Sequence, residues 1–234
     1  MLFRSQSVPS KGGNSDVARR LLGSLARNLG QAITRKTMVR DMYGEAENTD
    51  AASLATISNY TALLESLYLV LPIRGWELPA RSPKRFRTSP KRYLVDPSLA
   101  VSLLQMNEQS FKSDWQTLGL VFENLCMRDL SVYARALPEA AQDPVHYYRD
   151  DNGLEADAIV EDAAGRWGAI EVKLGENKAD EAAGDLLRIR EKLGRNSLAR
   201  TREPEFLAVL VGLGERSYRR SDGVYVIPVG CLGR

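Results

Sequence analysis

The chain has 234 residues, 44% hydrophobic and 26% charged, with a net charge of +2, which suits a soluble globular protein of one domain or two small ones with a real core. Its two cysteines, Cys126 and Cys231, lie outside any CxxC spacing and exclude a disulfide scaffold. No run approaches the roughly 18 apolar residues of a membrane span, and Met1–Gln6 leads into polar residues rather than a signal core, so a cytoplasmic protein with no membrane partner is expected.

The charge is unevenly spread. Residues 1–97 hold 15 Lys+Arg and 8 Asp+Glu, whereas the remainder holds 17 and 22. A basic first part suggests a polyanion or acidic partner, and an acidic second part suits carboxylate chemistry. In chain order, residues 1–15 are rich in Ser, Gly and Lys and read as a flexible lead-in. Val17, Leu21, Leu22, Leu25 and Leu29 recur at helical steps, with Asp16 as N-cap and Gly30 as terminator. A short second helix is expected over 33–42 and a third over 52–66, followed by a strand over 67–71. Residues 72–90 read as an Arg- and Lys-rich loop, and 91–96 as a returning strand.

Three helices and a basic hairpin form the plan of a winged-helix-like domain over 16–96. Its third helix would present Ser53, Thr56, Ser58, Asn59 and Thr61 outward, and its wing would carry Arg81, Lys84, Arg85, Arg87, Lys91 and Arg92 as nucleic-acid-binding residues. Binding through such a wing would be salt-dependent and largely independent of sequence. The third helix has no Arg or Lys on that face, which argues against base reading, and protein binding stays open as the alternative.

Residues 97–234 read as a second, α/β domain. Helices are expected over 97–106 and 115–134, the latter carrying Glu123 beside its apolar stripe. A strand over 145–149 contains His146, the lone histidine. With no Cys or His companion at metal spacing it reads as a structural residue, and zinc is not expected. Residues 153–160 and 167–173 then form a β-hairpin around a polar turn, followed by a helix over 180–193 and strands over 206–212 and 223–229.

Each hairpin strand carries acid where a core strand ordinarily would not. Asp157 lies in the first strand. Glu171 lies in the second, with Lys173 two residues on and therefore on the same face. Converging carboxylates with almost no histidine make an oxygen site suited to Mg²⁺ or Mn²⁺, held by Asp157 and Glu171. Lys173 could stabilise charge on a phosphate, and Glu123 could complete the ligand set or orient a water. The bland alternative is an exposed strand face, where Glu and Lys at i and i+2 contribute little.

Asp157, then Glu171-Val172-Lys173, with Glu123 in a preceding helix, resembles the PD-(D/E)XK nuclease superfamily, the restriction-endonuclease-like fold. A longer string, Lys91-Arg92-Tyr93-Leu94-Val95-Asp96, Gly119 to Leu125, Tyr147-Tyr148-Arg149, Gly153 to Asp157 and Ile170 to Lys173, resembles the C-terminal domain, labelled domain of unknown function 4143, of prokaryotic AAA+ ATPases. The resemblance spans about residues 16–230. It implies a winged-helix-like part followed by a nuclease-like mixed β-sheet flanked by helices, with Glu123, Asp157, Glu171 and Lys173 as catalytic residues. No GxxxxGK followed by Ser or Thr is present, so no ATP site is expected, and the chain reads as a truncated form, an excised fragment or a stand-alone relative.

Two functions are therefore expected: a Mg²⁺- or Mn²⁺-dependent nuclease acting on DNA, or less readily on RNA, and a non-catalytic nucleic-acid- or protein-binding module of an AAA+ ATPase system. A metal between Asp157 and Glu171 would favour the first. An ion pair from Lys173 that fills the site would favour the second.

Overall fold

A computed structural model describes residues 15–44, 51–76, 89–195 and 202–232. The expected lead-in, and the wing residues Arg81, Lys84, Arg85 and Arg87, lie outside the described residues apart from Ser15, which opens the first helix. The described elements are α1 (Ser15–Arg27), α2 (Arg35–Tyr43), α3 (Ala51–Ser66), β1 (Val70–Gly75), β2 (Lys91–Leu94), α4 (Pro97–Leu103), α5 (Glu108–Ser113), α6 (Trp115–Ala136), β3 (Ala140–Arg149), β4 (Glu155–Asp162), β5 (Trp167–Gly175), α7 (Ala179–Gly194), β6 (Phe206–Leu213), β7 (Tyr218–Arg219) and β8 (Tyr225–Pro228).

The strands form one mixed sheet in the order β2-β1-β3-β4-β5-β6-β8-β7. Pairs β1/β2, β3/β4, β4/β5 and β7/β8 are antiparallel, and β1/β3, β5/β6 and β6/β8 are parallel. The apolar run of β6 explains its central place, because both of its faces are covered. Leu207, Val209 and Val211 pack with Ala182, Leu186 and Ile189 of α7. Ala208 and Leu210 pack on the other face with Phe122, Cys126 and Met127 of α6. Helices thus cover both faces of the sheet, giving a mixed α/β fold. Among the described residues no helix is long and apolar enough to cross a membrane.

Helices α1–α3 enclose a third apolar group around Leu21, Leu25, Met38, Val39 and Ile57. The order of three helices and a hairpin follows the sequence expectation. The hairpin, however, is built into the main sheet, since Arg74 and Gly75 at the end of β1 pair with His146 and Tyr147 of β3. Ala100 of α4 and the partly buried Leu120 and Val121 of α6 also pack into this group.

Local differences have physical causes. The first strand begins at Val70 rather than Leu67, because α3 ends in a left-handed residue, Tyr68 at φ 57°. Leu69 N–H then donates back to Leu64 O across the cap. The strand runs through Pro72, expected to open a loop; Pro72 pairs with Arg92 of β2, and pairing with β3 begins only at Arg74, so no ladder bond needs its missing N–H. Thr61, expected on an outward face of α3, is buried, with its hydroxyl donating to Ile57 O at 2.7 Å.

Candidate functional site

The expected hairpin is β4 and β5, with Ala158 opposite Ile170, Ile159 opposite Ala169, Val160 opposite Gly168 and Glu161 opposite Trp167. The ladder stops at the Ala158–Ile170 rung. β4 beyond it turns toward β3, where Ala156 pairs with Tyr148 and Glu155 with Arg149 after a register shift. The next positions, Asp157 and Glu171, are joined by side chains instead. Val172 N–H donates to Asp157 Oδ2 at 2.8 Å, and Asp157 N–H donates to Glu171 Oε2 at 3.2 Å. Two carboxylates thus sit in the fork of two strands, satisfying backbone donors that the parting strands leave behind.

Lys173, two residues along β5, donates from Nζ to Glu171 Oε1 at 2.9 Å. Glu123 is carried in by α6, where Tyr93 O–H donates to its Oε1 at 2.6 Å. A Cβ placed on Gly30, just after α1, would lie 2.7 Å from the same oxygen, so the first helical group presses against this carboxylate. The structure therefore brings Glu123, Asp157, Glu171 and Lys173 together.

It also brings Lys91 and Tyr93 of β2 to the site. Lys91, read from sequence as part of a basic wing, is 5% exposed. Its Nζ lies 3.8 Å from Asp157 Oδ1 and 3.9 Å from Glu155 Oε2, and 5.4 Å from the centre of the Tyr147 ring. Arg92, on the opposite face of the strand, pairs with Glu65 of α3 at 3.1 Å. The signal for this placement was present in Lys91-Arg92-Tyr93, since alternation puts residues 91 and 93 on one face. The neighbouring Arg- and Lys-rich loop made it look like one more solvated charge. Asn124, beside Glu123, also went unread: Leu94 N–H donates to its Oδ1 at 2.7 Å and its Nδ2 donates to Leu94 O at 2.8 Å.

The electrostatics follow from crowding acids in a poorly solvated fork. Burial, then the charge of Asp157, pushes Glu171 up to about 8 against the opposing pull of Lys173. Burial, then Asp157 again, pushes Glu123 up to about 7, opposed by Lys91, the Tyr93 hydrogen bond and Lys173. Burial works against the charge of Lys173, but Glu171 outweighs it and its pKa is raised. Tyr93 is held well above the usual tyrosine range by burial and by the Glu123 and Asp157 carboxylates.

Glu171 and Glu155 line a cleft of about 680 Å³ between the turn at Asp150–Leu154 and α7. Arg188 and Lys192 of α7, and Arg195 at its C-terminal cap, face this cleft together with Asp185 and Glu191. Among the described residues no group of three or more His, Cys, Asp or Glu side chains is arranged to hold a metal ion as it stands.

Residues 118–232 match the family described as "Domain of unknown function (DUF4143)", and residues 8–110 match the family described as "Domain of unknown function (DUF8612)". Comparison with curated proteins gives no match. Among solved structures, the chain is similar to one in the "Refined half-complex from tetradecameric assembly of Thermococcus gammatolerans McrB AAA+ hexamers with bound McrC", at 12% identity and a TM-score of 0.28. That alignment covers 91% of this chain and 46% of the other, so the chain spans about half the length of its structural relative. A likeness this distant carries no functional argument.

Proposed function

We propose that the fork between β4 and β5 is a divalent-cation-dependent site for phosphodiester hydrolysis, of the PD-(D/E)XK kind, acting on DNA. The observation that carries this reading is the convergence of Asp157, Glu171 and Lys173 with Glu123 from a separate helix. The donor set fits Mg²⁺ or Mn²⁺. It is all oxygen, and Mg²⁺ is commonly bound through one or two carboxylates, keeping waters and substrate phosphate for the rest of its shell. Asp157 and Glu171 would hold the ion, which would offset both the burial of Glu171 and its repulsion from Asp157. A bound cation would supply a Lewis acid for the phosphate and a more acidic water.

The remaining roles belong to the chain's own groups. Lys173, released from Glu171 Oε1 when that carboxylate turns to a cation, would stabilise charge developing on the phosphate oxygens. Glu123, poised near 7 and oriented by Tyr93, is suited to take the proton of the attacking water as the P–O bond to the leaving group breaks.

The test is cleavage of plasmid and linear DNA, with RNA alongside, in Mg²⁺ and in Mn²⁺, by the wild type, Asp157→Ala and Lys173→Ala. Wild-type cleavage that is lost in Asp157→Ala and reduced about 10²-fold in Lys173→Ala supports the reading. No cleavage, or equal cleavage by all three proteins, defeats it.

The ion pair between Lys173 and Glu171 favours a second reading, a non-catalytic nucleic-acid- or protein-binding module. The family resemblance adds an AAA+ ATPase as the partner in that case. A gel-shift series in rising salt separates the two kinds of partner: no DNA binding even at low salt leaves the protein partner.

A further inference from the structure

We propose that Lys91 and Tyr93 are positioning residues of the Asp157–Glu171 site, Lys91 as the counter-charge that fixes Asp157 and Glu155 and Tyr93 as the donor that fixes Glu123. The inference rests on the hydrolytic reading of that site and adds β2 to it as a working wall.

The starting point is a lysine in an unexpected place. β2 is the terminal strand of the sheet, and a lysine on such an edge ordinarily turns outward, where it costs nothing and discourages edge pairing. Lys91 is buried instead. Burying an ammonium is expensive unless opposite charge meets it, and here two carboxylates and an aromatic face do so. Tyr147 supplies the aromatic face and also donates its hydroxyl to Ser89 O at 2.9 Å, which anchors the entry to β2. Pairing of Lys91 with Ile73 of β1 fixes the register that aims residue 91, and with it residue 93, at the site.

The two contacts have complementary effects. At 3.8 Å, Lys91 Nζ attracts Asp157 Oδ1 without a hydrogen bond, so the oxygen is oriented while its lone pairs stay open. Asp157 Oδ2 is meanwhile tied to Val172 N–H, and the carboxylate is held at both ends. Tyr93, fully buried, ties one oxygen of Glu123 and leaves the other for a water.

The experiment uses the full chain and Mn²⁺ alone, titrated calorimetrically into the wild type, Lys91→Met, Lys91→Arg and Tyr93→Phe, followed by kcat and KM on DNA. Lys91→Met removes the counter-charge that fixes Asp157, so Mn²⁺ is expected to bind about 10-fold more tightly while kcat falls about 10-fold because Asp157 is no longer held in place, whereas a lysine that only balanced charge would leave kcat unchanged. Lys91→Arg, which keeps the charge, is expected to bind as the wild type does. Tyr93→Phe, a change of one oxygen atom that spares the core, is expected to keep its Mn²⁺ affinity and KM while kcat falls about 10-fold. If the wild type binds Mn²⁺ and cleaves DNA, but Lys91→Met and Tyr93→Phe both keep the wild-type kcat, the inference is overturned and the hydrolytic site stands. If the wild type neither binds Mn²⁺ nor cleaves, the hydrolytic reading itself fails and the inference falls with it.

Discussion

Asp157 and Glu171 are bound to each other's strand where the strands part: Asp157 Oδ2 accepts from the amide that follows Glu171, and Glu171 Oε2 accepts from the amide of Asp157. The exchange replaces a rung of the sheet by two carboxylates. It holds two acids together in a buried fork, and the cost of that burial, then of their mutual repulsion, appears in the raised pKa of Glu171.

That cost makes stability depend on pH. Glu171 at about 8 and Glu123 at about 7 both lie above the carboxylate value of the unfolded chain, roughly 4.3. Between those limits the folded state binds more protons than the unfolded one, so unfolding free energy falls as pH rises. Their contribution is fully present below roughly 4.3 and is lost as pH passes through about 8. Urea unfolding at pH 5, 6, 7 and 8 is expected to show a midpoint that declines toward pH 8. Glu171→Gln, which takes no charge, is expected to flatten that decline; an equally steep decline in the variant assigns the effect to other groups.

The mixed α/β fold is legible in the sequence because β6 and the β4–β5 hairpin announce themselves locally, one as a continuous apolar run and the other as period-two strands around a polar turn. Asp157, Glu171 and Lys173 are legible for the same reason: acids interrupt strands that are otherwise apolar. Lys91 is not, because its direction is set by pairing with β1 and by carboxylates more than sixty positions away. β7, only two residues long, carries too little pattern to register. The joining of the first hairpin to the main sheet rests on Arg74 and Gly75 meeting β3, a contact between distant segments that no local periodicity encodes.

Gly30 and Gly44 separate backbone strain from pressure on the site. Both have positive φ, at 69° and 87°. A Cβ at Gly44 would meet nothing within 4 Å, whereas one at Gly30 would lie 2.7 Å from Glu123 Oε1. Gly44→Ala is therefore expected to cost backbone strain alone, about 1–3 kcal/mol, because φ 87° with ψ 178° is a region essentially reserved for glycine. Gly30→Ala is expected to displace the Glu123 carboxylate from Tyr93 in addition to its own backbone strain. Thermal melts of the two variants, with the nuclease assay beside them, check this; full activity in Gly30→Ala would show that Glu123 is not displaced.

Asn124 holds the terminal strand to the helix that carries Glu123. It is completely buried, and its side-chain amide both accepts from Leu94 N–H and donates to Leu94 O, as a neighbouring strand would. Asn124→Ala leaves two backbone groups at the sheet edge without these partners, and each buried orphan costs about 1–3 kcal/mol. Asn124→Asp keeps the acceptor and replaces the donor with a carboxylate facing Leu94 O, so it is expected to be no better tolerated. Loss of this clamp frees β2, and with it Lys91 and Tyr93, from the wall of the site. Amide hydrogen exchange at Tyr93 and Leu94 is therefore expected to accelerate in Asn124→Ala by more than the rise at Val209 in the centre of β6. A uniform rise across the sheet would mean that Asn124 supports the whole fold and not the strand it touches.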